Sequence, residues 1–150
     1  MQFRDAKKSE LRAIIEMLAD DELGAAREQI EDPLSENYAE AFDAMAKTPG
    51  NRLIVAVDDE GEVRGCFQMT IIPGVSRMGM TRAIIEGVRV HAHHRGTGLG
   101  TKLMEYAISE AKAANCGLVQ LTSSKSRTDA QRFYQKLGFE PSHIGMKLEI

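Results

Sequence analysis

The chain has 150 residues, which is enough for one domain with a sizeable core and too few for two ordinary domains. Hydrophobic residues make up 43% of it and charged residues 27%, so intrinsic disorder and fibrous repeats are excluded. The net charge of −3 gives no global attraction for nucleic acid, and no apolar run approaches the roughly 18 residues that a membrane span needs. We expect a single domain over residues 1–150, in the cytoplasm, with neither nucleic acid nor a membrane as partner.

The hydrophobic pattern of the first half of the chain alternates between the periods of strands and of helices. Ser9 is predicted to cap the first helix, and Pro49-Gly50 to stop the second. In chain order the pattern predicts a strand over residues 2–6, a helix from Ser9, a helix over residues 35–47, and strands over residues 53–57 and Val63–Ile72 that form a hairpin.

The second half predicts strands and helices in alternation, with two strands at the end. Gly138 is expected to close the last helix, which Thr128 or Asp129 caps. The predicted elements are a strand over residues 83–90, a helix after residue 98, a strand over residues 117–122, a helix from Thr128, and terminal strands over residues 139–140 and 143–150. This order predicts an α/β (α+β) fold with a mixed sheet.

A glycine-rich segment, Arg95-Gly96-Thr97-Gly98-Leu99-Gly100, lies between a predicted strand and a predicted helix. Such a loop collects free backbone N–H groups and the positive end of the helix dipole, which suits a phosphate, and Arg95 adds a fixed charge. Thr101 stands where the dinucleotide fingerprint requires a third glycine, and no Walker GK[ST] follows. An anion site is therefore predicted, with a plain tight turn as the alternative.

Cysteine and histidine give little sign of further chemistry. Cys66 and Cys116 are far apart and form no CxxC pair, so we expect thiols in a reducing cytoplasm. His91, His93 and His94 are potential metal ligands by type, but no cysteine or carboxylate cluster supports them. We predict a solvated turn there and assign no metal.

The glycine segment resembles the Q/R-x-x-G-x-G/A signature of the GCN5-related N-acetyltransferase (GNAT) family, with Arg95, Gly98 and Gly100 at its fixed positions. Residues 85–90 resemble that family's fourth strand, and residues 130–139 resemble its A-x-x-F-Y-x-x-x-G-F helix. The resemblance implies a mixed central sheet of six to seven strands with about four helices. One departure is Arg127, which stands where many members carry an asparagine near the pantetheine.

The resemblance also implies acetyl-CoA as co-substrate, bound in a V-shaped opening between the predicted strands 83–90 and 117–122. Gly87 is the expected bulge that opens it. The expected partner is a small-molecule amine, and a homodimer is expected, with the strand around residues 144–150 as an edge that can pair. The predicted cofactor-binding residues are Val88, Val90, Arg95, Gly96, Thr97, Gly98, Leu99, Gly100, Thr101 and Phe133.

Acetylation of an amine requires removal of a proton, because an amine with a pKa of about 10 is almost wholly protonated at neutral pH. Glu86, on the predicted central strand, is our candidate base, either directly or through water; pairing with Arg82 or Arg89 is its alternative role. The resemblance implies that Tyr134 protonates the departing thiolate, whereas simple packing beside Phe133 is the alternative. Transfer is expected to be direct, without an acyl-enzyme.

The overall function, the acidic run and the methionines each have two interpretations. A non-catalytic sensor that binds CoA or a nucleotide through the same loop is the alternative to an enzyme. The acidic run Asp20-Asp21-Glu22 is either a solvated surface or an attraction for a cationic acceptor. Met69, Met78 and Met80 are either core filler or the lining of an adaptable pocket.

Overall fold

A computed structural model describes all residues from 1 to 150. The strands are β1 (Gln2–Asp5), β2 (Asn51–Val57), β3 (Val63–Ile72), β4 (Arg82–Val90) and β5 (Leu118–Leu121). The helices are α1 (Leu11–Ala19), α2 (Glu22–Ala25), α3 (Glu36–Lys47), α4 (Ser76–Gly79), α5 (Leu99–Ala113) and α6 (Thr128–Lys136), with short 3-10 turns at Lys8–Glu10 and Ala92–His94. None of these helices is both long enough and apolar enough to cross a membrane.

The five strands form one mixed sheet in the order β1-β2-β3-β4-β5. The first four strands pair antiparallel, and β4 pairs parallel with β5. A parallel pair cannot be joined by a tight hairpin, so the chain crosses over between β4 and β5 through α5. The predicted α/β class with a mixed sheet is confirmed, and four of the helices have nine residues or more.

Each face of the sheet packs on its own set of helices. On one face, Phe67 and Ile85 of the strands pack with Leu103 of α5, and each of these is at most 1% exposed. On the other face, Val55 and Cys66 pack with Ile14 of α1. Burying one such side chain stabilises the fold by about 1.5–3 kcal/mol, so the two layers fix the sheet between the helices.

The pairing of β3 with β4 changes register at Gly87. Cys66 lies opposite Arg89 and Gln68 lies opposite Glu86, so a single β3 residue faces two residues of β4. Gly87 has a φ of 58°, in the left-handed region that disfavours other residues. The bulge predicted at Gly87 is thus present, and a bulge bends the strand that carries it.

The two predicted terminal strands are wrong. Residues 139–150 form no strand, so the sheet has five strands rather than the expected six to seven. Alternating apolar residues do occur there, but in this structure they pair with nothing in the chain, and a strand exists only with a partner. Their side chains are 76% to 117% exposed, namely those of Ile144, Met146, Leu148 and Ile150.

Two predicted helix caps are also wrong. Ser9 lies inside the 3-10 turn that precedes α1, and it caps neither element. The side chain that stabilises this turn is that of Glu10, whose carboxylate accepts the N–H of Lys7 at 2.7 Å. Neither Thr128 nor Asp129 caps α6, because the chain already turns into the helix at Arg127. The helix predicted over residues 35–47 is present, and Ser35 caps it with a hydroxyl that accepts the N–H of Asn37.

Candidate functional site

The site lies where β4 and β5 separate. Arg82 to Ile85 pair with Leu118 to Leu121, and the pairing stops there. The rest of β4, residues 86–90, pairs only with β3, so its other edge has no strand beside it. A cavity of about 520 Å³ opens at this edge, and its walls include Val90, Asp20, Asp21, Arg89, Arg95 and Arg127. The cavity thus adjoins the β4 side of the predicted opening, and no residue of β5 lines it.

The glycine loop lies between the end of β4 and the first turn of α5. The backbone N–H groups of residues 96–101 donate no hydrogen bond within the chain. Gly96 and Gly98 have φ values of 75° and 87°, and the space next to each is empty. Free N–H groups at the start of a helix of fifteen residues form a favourable environment for an anion.

The predicted cofactor-binding residues are close together in space. A Cβ placed on Gly100 would lie 3.5 Å from the Phe133 ring and 3.7 Å from Val90 Cγ2, so Gly100 lies beside both the Phe133 ring of α6 and Val90 of β4. Leu99 is 4% exposed and anchors the loop in the core. Thr97 differs from the expectation of a hydroxyl facing the ligand, because its Oγ1 donates to the carbonyl of His94 at 2.7 Å.

Tyr134 of α6 is half-buried between two aromatic rings. Its ring centroid lies 5.1 Å from that of Phe133 and 5.9 Å from that of Phe139. Burial raises the pKa of its phenol above the usual value, and the positive charges of Arg89 and Arg127 partly offset that rise. Its hydroxyl forms no hydrogen bond within the chain, so a neutral O–H remains available as a proton donor.

Glu86, the candidate base, lies on the part of β4 that pairs with β3 but has no strand on its other side. Its side chain is exposed and forms neither a hydrogen bond nor an ion pair with Arg82 or Arg89. The alternative that it serves only as an ion-pair partner is thus not seen. An exposed carboxylate at this edge is accessible to water and to a ligand.

The acidic run beside the cavity is engaged by arginines. Asp20 accepts from Arg95 at 2.6 Å, and Asp21 accepts from Arg127 Nη2 at 3.0 Å. Arg127 Nη1 forms an ion pair with Asp21 at 2.8 Å. Arg89 is the second cation beside Asp21, at 3.6 Å. The connection between α1 and α2 is therefore tied across the cavity to the glycine loop and to the segment before α6.

Asp21 also begins α2, since its carboxylate accepts the N–H of Gly24 at 2.7 Å. Burial alone would raise the pKa of Asp21, but this hydrogen bond and the charges of Arg89 and Arg127 outweigh it and hold that pKa below the usual value. Gly24 is buried, and a Cβ there would collide with the Leu18 carbonyl. The position of the two aspartates is thus fixed by close backbone packing.

The remaining candidates lie outside the cavity. His91, His93 and His94 form a turn in which their rings contact one another, and no group of three His, Cys, Asp or Glu residues has a metal-binding arrangement. Burial raises the pKa of the Cys66 thiol to about 12, which makes it unreactive. The methionines form no pocket, because Met69 is in the core and Met78 is fully exposed.

Residues 12–139 match the acetyltransferase (GNAT) family. The chain belongs to the GNAT acetyltransferase family. A solved structure described as a transcriptional regulator from Bacillus halodurans C-125 is 45% identical to this GNAT protein, with a TM-score of 0.95 over 99% of both chains. A putative acetyltransferase from Agrobacterium tumefaciens is 26% identical, with a TM-score of 0.87 over 100% of both chains.

A curated relative covers less of the chain. The aminoalkylphosphonate N-acetyltransferase of Salmonella typhimurium is 39% identical over 50 residues, which are 33% of this GNAT protein and 32% of that enzyme. The matched segment thus spans about a third of the relative's length. The family assignment therefore rests on the match over residues 12–139 and on the fold.

The pair of Asp20 with Arg95 places a negative charge where the loop would receive an anion. We predict that Asp20→Asn tightens the binding of inorganic pyrophosphate about two- to five-fold, because the variant removes both the repulsion and the competing partner of Arg95. The measurement is isothermal titration calorimetry at low salt.

Asp43→Asn is the matched control for this measurement. Asp43 forms a similarly exposed pair with Lys8 at 2.6 Å, away from the cavity. Its replacement should leave pyrophosphate binding unchanged. Equal affinities of the wild type and the Asp20 variant would show that the pair does not compete with the anion.

Proposed function

We propose that residues 1–150 are a single N-acetyltransferase domain that transfers an acetyl group from acetyl-CoA to a small primary amine. The observation that carries this proposal is the unpaired edge of β4 directly beside a loop of free N–H groups and Arg95. An extended thioester arm can add to that edge as a strand does, while the loop holds the diphosphate. A cavity of about 520 Å³ adjoins both.

The coenzyme would be held by three parts of the chain. Residues 96–101 offer N–H groups to the diphosphate, and Arg95 adds charge after leaving Asp20. The pantetheine would run along Val88 and Val90, whose carbonyls now accept from Arg89 and Arg95. Phe133 supports the loop from behind through its contact with Gly100.

The acceptor amine would approach from the α1 side of β4. Glu86, exposed and unpaired, removes the ammonium proton directly or through a water molecule. Freeing this proton costs about 4 kcal/mol at neutral pH for an amine with a pKa of about 10. The amine then attacks the thioester carbon, and a backbone N–H near Val88 stabilises the oxyanion. The relative named for aminoalkylphosphonates supports a small amine as acceptor.

Tyr134 would complete the transfer as a general acid. Collapse of the tetrahedral intermediate breaks the carbon–sulfur bond, and the leaving thiolate takes the phenolic proton. The surplus proton on the acylated nitrogen then returns to the phenolate through solvent, which restores Tyr134. The raised pKa and the absence of a hydrogen bond within the chain both keep this proton available. Because no cysteine is activated, with Cys66 buried, attack is direct within a ternary complex.

A second function is supported by one comparison. The solved structure that is 45% identical is described as a transcriptional regulator, which favours a protein that binds CoA and signals without turnover. The same loop and cavity would serve that role. Release of free CoA from acetyl-CoA over a panel of small amines distinguishes the two, because a sensor binds the coenzyme and releases no thiol.

We also propose a second copy of this chain as partner, in the cytoplasm. The alternating side chains of residues 144–150 would cover one face of an added strand. This segment starts near the end of β5, since a Cβ on Gly145 would lie 3.6 Å from Thr122. The outer edge of β5 has no partner, so two copies can each place this segment on the other's β5.

Replacement of Gly98 tests the coenzyme loop. Gly98→Ala places a side chain at a φ of 87°, which costs about 1–2 kcal/mol, and we expect CoA to bind about ten-fold more weakly because the N–H groups are displaced. Gly61→Ala is the matched control, with a φ of 89° and the same empty surroundings in the turn between β2 and β3. It should lose similar stability in urea and bind CoA normally. Equal CoA affinity in both variants would contradict the role of the loop.

Removal of the Tyr134 hydroxyl tests the acid. Tyr134→Phe should lower kcat about 100-fold with little change in the affinity for acetyl-CoA, because only the proton donor is lost. Tyr106→Phe serves as the control, since Tyr106 stacks on Phe3 in the core at 5.1 Å. An unchanged kcat in Tyr134→Phe would assign this residue to packing alone.

Charge in the C-terminal segment tests the dimer. We expect light scattering to give a dimer for the wild type and a monomer for Leu148→Lys, since a buried lysine opposes strand pairing. Val75→Lys, at a site that is 96% exposed, is the control and should remain dimeric. A monomeric wild type would refute the paired arrangement.

A further inference from the structure

Arg89 has hydrogen-bonding capacity that nothing in the chain uses. Its side chain is 18% exposed and lines the cavity. Nη1 donates to the Val88 carbonyl at 2.9 Å, whereas Nη2 forms no hydrogen bond and lies 3.6 Å from Asp21. Nε is buried without any partner. A guanidinium group removed from water with most of its donors unmatched is costly, and a ligand that accepts from it would offset that cost.

The charge immediately around Asp21 is positive, although the cavity wall as a whole has three aspartates and three arginines. Asp21 is shared by two guanidinium groups, those of Arg89 and Arg127. The other two carboxylates of the cavity wall have partners of their own, Asp20 with Arg95 and Asp129 with Arg132. One positive charge is therefore left uncompensated beside Asp21.

We propose that Arg89 and Arg127 form a subsite for a tetrahedral oxyanion carried by the acceptor, a phosphate or phosphonate group. Two guanidinium groups converging on one point match the several acceptor oxygens of such a group. An ammonium ion placed there would meet two cations. The inference rests on the proposed function, because it names the class of amine that the same cavity accepts.

The location of the two arginines assigns the subsite to the acceptor. Both side chains line the cavity, and their charges both act on the Tyr134 phenol, whose pKa they lower against the effect of burial. The pair thus lies close to the proposed reaction centre, and Arg95 serves the diphosphate. An acceptor with a short chain between its amine and its oxyanion would contact Glu86 with the amine and the two arginines with the oxyanion.

The kinetic test compares two amines that differ only in the anionic group. O-Phosphoethanolamine should be acetylated with a kcat/KM about ten-fold or more above that of ethanolamine, mostly through a lower KM. Arg89→Gln should abolish this ratio. Comparing both amines within one variant cancels any effect of Arg89 on Tyr134. Arg77→Gln, at an exposed position in α4 outside the cavity wall, should keep the ratio of the wild type.

A binding test decides the subsite independently of turnover. Inorganic phosphate is titrated into the wild type and into Arg89→Gln, first with CoA at saturation so that the glycine loop is filled. We expect phosphate to bind the wild type about ten-fold or more tightly than the variant. Equal or absent phosphate binding in the two proteins, or a kinetic preference for ethanolamine, overturns the subsite.

The proposed function is tested separately within the same titrations. If CoA does not bind, the proposed acetyltransferase function is refuted. The titration of phosphate into the protein without CoA would still decide the role of Arg89. If ethanolamine is acetylated as well as its phosphate ester, the acetyltransferase function is supported and the oxyanion subsite is refuted.

Discussion

The separation of β4 from β5 after Ile85 is the constraint on which the site depends. A strand inside a sheet uses its N–H and C=O groups on both sides, whereas residues 86–90 have a strand on one side only. The bulge at Gly87 bends β4 at this point, and the crossover through α5 brings a helix N-terminus to its end. Backbone geometry alone therefore places an unpaired strand edge next to a loop of free N–H groups.

The charged side chains around this backbone opening are arginines and aspartates that form ion pairs. The carboxylates of Asp20 and Asp21 pair with the arginines of the cavity wall. An anionic ligand that took these arginines would leave the two aspartates to water, to which their side chains are 47% and 32% exposed. The two aspartates belong to one short connection, so ligands at Arg95 and at Arg127 would act on the same segment.

The sequence was sufficient for features that are local along the chain. The periodicity of α5 and the spacing of Gly96 and Gly98 each lie within a few residues, and both are present as predicted. The ion pairs were not predictable, because Asp20 and Arg95 are 75 residues apart and Asp21 and Arg127 are 106 apart. The terminal strands failed for a related reason: alternation identifies residues suited to a strand but does not supply the neighbour that a strand requires.

Gly24 has a consequence for the redesign of the cavity wall. Because its missing side chain lets α2 pack against the end of α1, the two aspartates before it are presented by a rigid corner of the backbone. A mutant library that keeps this glycine and randomises its acidic neighbours would sample new surface chemistry on an unchanged scaffold. A library that also randomises Gly24 would consist mostly of variants in which the connection between α1 and α2 cannot pack, because any side chain there collides with the Leu18 carbonyl.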